Sequence, residues 1–184
     1  MVDQQRCWPK IDHYIGILGD RYTGKTSIIK SILKQGCTDH FNTYFGLAFI
    51  LKTQPQGLEK PVKFLFFDPE EGGTLRLLNP KLIEKMSLTI VAYDVMSRES
   101  FDHIDFWVNS VKNQIASKLV LVIGNKIDMK VKNRAVKYEE AQEKCLKLNC
   151  FYIELSAKTT LHIHAMLSSI ICLSKTDAKK RLPN

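Results

Sequence analysis

At 184 residues, the chain has room for one ordinary domain built on one core. Its 45 % hydrophobic and 25 % charged residues exclude a disordered chain, and its apolar runs are strand-length, as at 119–123, so none can span a membrane. A net charge of +8 reads as a basic, solvated surface. Contact with acidic lipid or an acidic partner is the sharper alternative; nucleic acid is disfavoured because the basic residues are scattered and not interleaved with aromatics. The opening MVDQQRCWPK is not a secretory leader, since no continuous apolar stretch is followed by small residues. Cys7, Cys37, Cys145, Cys150 and Cys172 are odd in number and form no C-x-x-C pair, which points to a reduced, cytoplasmic protein.

In chain order, the apolar stretch 13–18 predicts a strand that runs into a glycine-containing loop, 19–26. A helix follows through 27–33, closed by Gly36. Residues 36–45 read as a loop. Strands are expected at 47–52 and 62–67, joined by the turn residues 54–57, and a second loop begins at Asp68. A buried strand is expected at 88–93. Phe101, Ile104, Val108, Val111 and Ile115 recur at helical spacing, with Ser97 as N-cap. A strand at 119–123 is followed by a second helical stripe, Tyr138, Ala141, Cys145 and Leu148, which Asn149 can end. The last strand, 151–155, precedes a helix at about 160–173. Alternating strands and helices, with one early hairpin, give a three-layer α/β domain. Ligands on such sheets sit at the carboxyl ends of the strands, where the chemical motifs of this chain fall.

The first motif is Gly19-Asp20-Arg21-Tyr22-Thr23-Gly24-Lys25-Thr26, with Ser27 opening the helix. It fits G-x-x-x-x-G-K-[ST] between a strand and a helix, a phosphate-binding loop. Its glycines let backbone N–H groups turn toward phosphate, and the helix N-terminus adds its positive dipole. Lys25 supplies charge to the terminal phosphates, and Thr26 a hydroxyl for Mg²⁺. The second motif, Asn125-Lys126-Ile127-Asp128, follows the strand and Gly124. The Asp128 carboxylate can accept two N–H bonds from the N1/N2 edge of guanine. Adenine cannot supply them and would leave the carboxylate unpaired. The third, Ser156-Ala157-Lys158, follows the last strand; its backbone reaches guanine O6 while the lysine packs over the base.

Together, GDRYTGKT, NKID and SAK, with YDVMSRESF between them, resemble the Ras superfamily of small GTPases, most of all its Rab branch, over roughly residues 11 to 173. The resemblance implies the P-loop small G-protein fold, a six-stranded, mostly parallel sheet with one antiparallel strand. It implies GTP or GDP as ligand with Mg²⁺, held through Thr26 and Asp68, and two switch loops that sense the γ-phosphate. The domain is expected at 11–174, between an N-terminal extension, 1–10, and a short basic tail, 175–184.

The switch loops depart from the family pattern. Tyr44 stands where the family has its Mg²⁺-binding threonine, and Thr43 lies one place early. The second switch reads Asp68-Pro69-Glu70-Glu71-Gly72-Gly73, so Glu71 replaces the family glycine and Gly72 the catalytic glutamine. No catalytic residue is assigned, and hydrolysis is expected to be slow. Arg21 is expected to pair with Glu70 or Glu71 as a latch, or else to reach the γ-phosphate as a built-in arginine finger.

Two readings of function follow: a regulatory switch in membrane traffic, or a nucleotide-locked scaffold subunit, as in ciliary transport. Both are cytoplasmic; peripheral membrane attachment would need a lipidated tail beyond the terminal KKRLPN. By the resemblance, effectors engage the switch loops and the apolar residues Phe49, Phe67 and Leu82, which could equally pack the sheet. Exchange and activating factors are further implied partners. The remaining candidates take plain readings. His162 and His164 share no helical face, Trp107 is a packing residue, and Cys172 belongs to the core.

Overall fold

The computed structural model describes residues 10–34, 37–43, 46–54, 60–69, 80–114, 119–129 and 131–181. Among them, the strands are β1 (His13–Leu18), β2 (Cys37–Thr43), β3 (Gly46–Thr53), β4 (Val62–Pro69), β5 (Met86–Asp94), β6 (Val120–Asn125) and β7 (Phe151–Glu154). The helices are α1 (Lys25–Leu33), α2 (Pro80–Lys85), α3 (Arg98–Asp102), α4 (Ile104–Gln114), α5 (Tyr138–Lys147) and α6 (Ile163–Arg181). One sheet carries all the strands in the order β2-β3-β4-β1-β5-β6-β7. β4, β1, β5, β6 and β7 run parallel, while β3 is antiparallel to both its neighbours.

The parallel strands are covered on both faces, as such sheets require. Along β1, Ile15 and Ile17 point to one side and Leu18 to the other, the period-2 alternation of a strand. Ile15 and Ile17 pack with Ile28, Ile29 and Ile32 of α1 and with Ile163, Met166 and Ile170 of α6. Leu18, Val91 and Tyr93 pack with Phe101 of α3, with Ile104, Val108 and Val111 of α4, and with Ala141 and Cys145 of α5. The two helical stripes read from spacing therefore meet the same side of the sheet. At Ser97 the expected cap forms: its Oγ accepts the Ser100 N–H at 3.2 Å. Asn149 ends α5 in the left-handed conformation, φ 49°, as asparagine tolerates.

The structure corrects several expectations. The six expected strands are present, and the segment read as a loop at 36–45 adds a seventh, β2, hairpinned onto the edge of β3 with Thr43 opposite Gly46. Propensity alone could not place it, because its pairing is supplied by the neighbouring strand. Gly36 and the turn at 55–57 lie outside the described residues, as do Ile115 and Glu70 to Gly73. α6 runs on to Arg181 because Ser174 to Arg181 contains neither glycine nor proline. Cys172 is exposed on α6, not in the core; Ile170 takes the inward position beside it.

Phe49 and Phe67 are buried at 5 % and 3 % exposure. Across the β3–β4 ladder Phe49 sits opposite Phe66 and Phe67 opposite Ala48, so the two phenylalanines project from opposite faces of the sheet. They fill the two cores and form no common effector patch. Leu82 lies in α2, and its side chain is outside the described residues. His162 precedes α6 and bonds the Glu154 carbonyl at 2.9 Å. No helix among the described residues is long and apolar enough to cross a membrane.

Candidate functional site

The carboxyl ends of β1, β4, β5, β6 and β7 deliver their loops to one edge of the sheet, as the topology requires. After β1 the chain turns at Gly19, φ +132°, so close to β5 that a Cβ there would stand 2.1 Å from the Ala92 carbonyl oxygen. Gly24 caps α1 at φ +91°, where a Cβ would meet Asn125 Nδ2 at 2.3 Å. Only glycine fits either place. Gly24 brings no side chain to the first turn of α1, and that turn holds no acidic residue. Its N–H groups have no acceptor within the helix, and the helix dipole adds positive potential: an anion site.

Lys25 Nζ bends back over the loop and donates to the carbonyls of Gly19 (3.0 Å) and Asp20 (2.7 Å). Thr23 Oγ1 donates to the same Asp20 carbonyl at 2.9 Å. Thr26 Oγ1 donates to Asp68 Oδ2 at the end of β4. Asp68 is 4 % exposed. Burial pushes its carboxyl up from the ordinary value, against the pull of the Thr26 hydrogen bond and the Lys25 charge. A hydroxyl and a carboxylate converging beside Lys25 are hard oxygen donors that suit Mg²⁺, and a cation there would relieve the burial cost of Asp68. These residues and Ser27 line a cavity of about 420 Å³.

A second cavity, about 540 Å³, opens on the other side of Gly24 and Ser27. Asn125, Lys126, Asp128, Ala157 and Lys158 all reach it. Asn125, 2 % exposed, bridges two loops: Nδ2 donates to the Thr23 carbonyl at 2.9 Å, and Oδ1 accepts the Ala157 N–H at 3.1 Å. Ser156 is wholly buried; its Oγ donates to Asp128 Oδ1 at 2.6 Å and accepts the Thr159 N–H at 3.1 Å. That contact fixes one carboxylate oxygen of Asp128 at the cavity wall. Lys126 sits at φ 70°, and its Nζ donates to the Tyr22 carbonyl and to Asp94 Oδ2, both at 2.7 Å.

Thus all three motifs meet in space, although not every side chain faces the cavities. The Asp20 carboxylate turns away to α3 and α4, where Oδ2 meets His103 Nδ1 at 2.6 Å and Oδ1 accepts the Trp107 indole N–H at 2.8 Å. Asp20 therefore offers the site its backbone only. Trp107 is a polar anchor as well as a packing residue. Arg21 and Tyr22 are exposed; the guanidinium lies 6.0 Å from the Tyr22 ring centroid, and Tyr22 holds φ 63°. The glutamates expected opposite Arg21 lie outside the described residues. Sequence reasoning missed Asp94 and His103. Asp94 ends β5, and the convergence of strand ends could have flagged it; nothing local marks His103 as a partner of a residue 83 positions away.

The model of the Ras family matches residues 15–175. The chain is also 26 % identical over 161 residues to "GTP-binding protein ypt5" of Schizosaccharomyces pombe, a match covering 87 % of this chain and 76 % of that protein. The matched span contains the phosphate-side loop, the Asn125–Asp128 loop and Ser156-Ala157-Lys158. The chain is a Rab-like member of the Ras family.

Proposed function

We propose that this protein binds GDP or GTP with Mg²⁺ and acts as a Rab-like regulatory switch in membrane traffic, with slow intrinsic hydrolysis. The observation that carries the reading is the Asp128 carboxylate, held at the wall of the base cavity by the buried Ser156 hydroxyl, with Asn125 tying that wall to the phosphate-side loop. Guanine offers N1–H and N2–H to the carboxylate; adenine offers neither. Thr26 and Asp68 hold the metal, and Lys25 leaves its loop carbonyls for the phosphates. Gly72 has no side chain to orient water, which supports slow turnover. Partners engage the switch loops, since Phe49 and Phe67 are committed to the cores.

The test is competition between guanine and adenine nucleotides for the purified protein. GDP and GTP bind far more tightly than ADP and ATP, and Asp128→Ala removes at least ~2 kcal/mol of that preference. Equal competition by ATP in the wild type sinks the guanine assignment.

One observation favours a second reading, a nucleotide-locked scaffold. Thr43, the nearest substitute for the missing switch threonine, belongs to β2 and is paired across the hairpin with Gly46. That pairing sets the Thr43 backbone in a strand, where the family pattern expects a switch loop. Effector binding measured in the GDP and GTP states separates the readings: a switch discriminates between them, a scaffold does not.

A further inference from the structure

The cavity that would hold the base does not end at the residues a base needs. It continues along one face of α1, past Ser27 to Lys30, Ser31 and Lys34, spaced i, i+3, i+4 and i+7. Ser27 lines both the phosphate-side and the base-side cavity, so a nucleotide spanning them lays its ribose across Ser27. The next groups along that face are those of Lys30, one turn on. Ser31, 2 % exposed, is one of the residues lining the cavity, and its buried Oγ has no hydrogen-bond partner among the described residues. A buried hydroxyl without a partner costs free energy until something supplies one. Lys30 and Lys34 are exposed on either side of it. Across the cavity, Lys126 and Lys158 add positive charge. The opposing charge is the Asp128 carboxylate, already engaged by Ser156.

We propose that Lys30, Ser31 and Lys34 form a second anion subsite, which takes a phosphate monoester carried on the ribose of the bound guanine nucleotide. The two ammonium groups meet the phosphate charge, and the Ser31 hydroxyl donates to one of its oxygens. The subsite rests on the guanine reading above and extends it to a class of ligand, guanine nucleotides phosphorylated on the sugar as well as at the 5′ position.

Calorimetry on the full chain, with GDP and guanosine 3′-phosphate 5′-diphosphate as probes, tests this. The 3′-phosphorylated nucleotide is expected to bind about tenfold more tightly than GDP, the scale of one partly exposed charged contact. Lys30→Ala/Lys34→Ala abolishes the advantage and Ser31→Ala removes part of it, each leaving GDP affinity in place. Lys10→Ala/Lys52→Ala, which removes the same charge elsewhere, keeps it. Equal binding of the two probes to the wild type overturns the subsite, as does an advantage that survives in Lys30→Ala/Lys34→Ala. Tighter GDP binding with added inorganic phosphate, without any gain from the 3′-phosphate, overturns the ribose assignment in favour of a free anion. Failure of GDP itself to bind is a different result and overturns the guanine reading.

Discussion

Asp20 shows how one side chain can serve a site while facing away from it. Its carbonyl receives Lys25 and Thr23, and its carboxylate is clasped by His103 and Trp107. The hydrogen bond and negative charge of Asp20 raise the His103 pKa above the ordinary imidazole value. The folded pKa thus exceeds the unfolded one, so the ion pair is fully present below the unfolded value and is lost as pH rises through the folded one. The expected outcome is a melting-temperature difference between wild type and His103→Gln that is largest below the ordinary imidazole pKa and shrinks as pH rises through the raised folded one. A difference that grows with pH would contradict the clasp. At this scale the phosphate loop was legible because Gly19 and Gly24 occupy conformations closed to other residues. The clasp was not: Asp20 is far in sequence from His103 and Trp107, and no local pattern pairs them.

Among the elements, the β2–β3 hairpin and the loop after β4 bear most directly on turnover. β2, which directly precedes Tyr44, lies at the sheet edge with β3 as its one strand neighbour among the described residues. An edge strand with a single neighbour can detach more readily than a central one. Two departures from the family pattern bear on turnover: Tyr44 in place of the threonine and Gly72 in place of the glutamine. Single-turnover assays should find slow GTP hydrolysis in the wild type and faster hydrolysis in Gly72→Gln. Fast wild-type turnover that collapses in Arg21→Ala would instead establish Arg21 as a built-in finger. The helices and central strands could be read from hydrophobic spacing, because buried faces impose a period. β2 could not, since its sequence alternates no clear apolar face and its pairing comes from a tertiary neighbour.

For the whole molecule, the sheet separates two cores that, among the described residues, share no helix. α1 belongs to the core that also packs α6, so the helix that opens the phosphate site is fastened by Ile28, Ile29 and Ile32, all fully buried. Ile29→Ala is expected to lower unfolding stability by roughly 2–5 kcal/mol through lost burial and a residual cavity. Nucleotide affinity should fall with it, because the first turn of α1 loses its anchorage. Chemical denaturation of the nucleotide-free and nucleotide-bound protein checks both effects. Phe49 and Phe67 belong to the same account: alternation assigns them to different cores, a fact that alignment to a family surface could not reveal.

The Thr26–Asp68 hydrogen bond bears on what becomes of the protein when magnesium is withdrawn. A buried carboxylate facing only an absent ion would make the emptied site a liability, and chelation would threaten the fold. Here the two residues proposed to hold the metal partner each other. The Thr26 hydroxyl donates its proton to the Asp68 carboxylate, and a cation held between them would take the place of that bond. EDTA should therefore hasten nucleotide release while leaving the melting temperature of the nucleotide-free protein unchanged, as thermal scans with and without chelator would record. On the proposed function, magnesium would govern how long the nucleotide stays, while the fold would not depend on it.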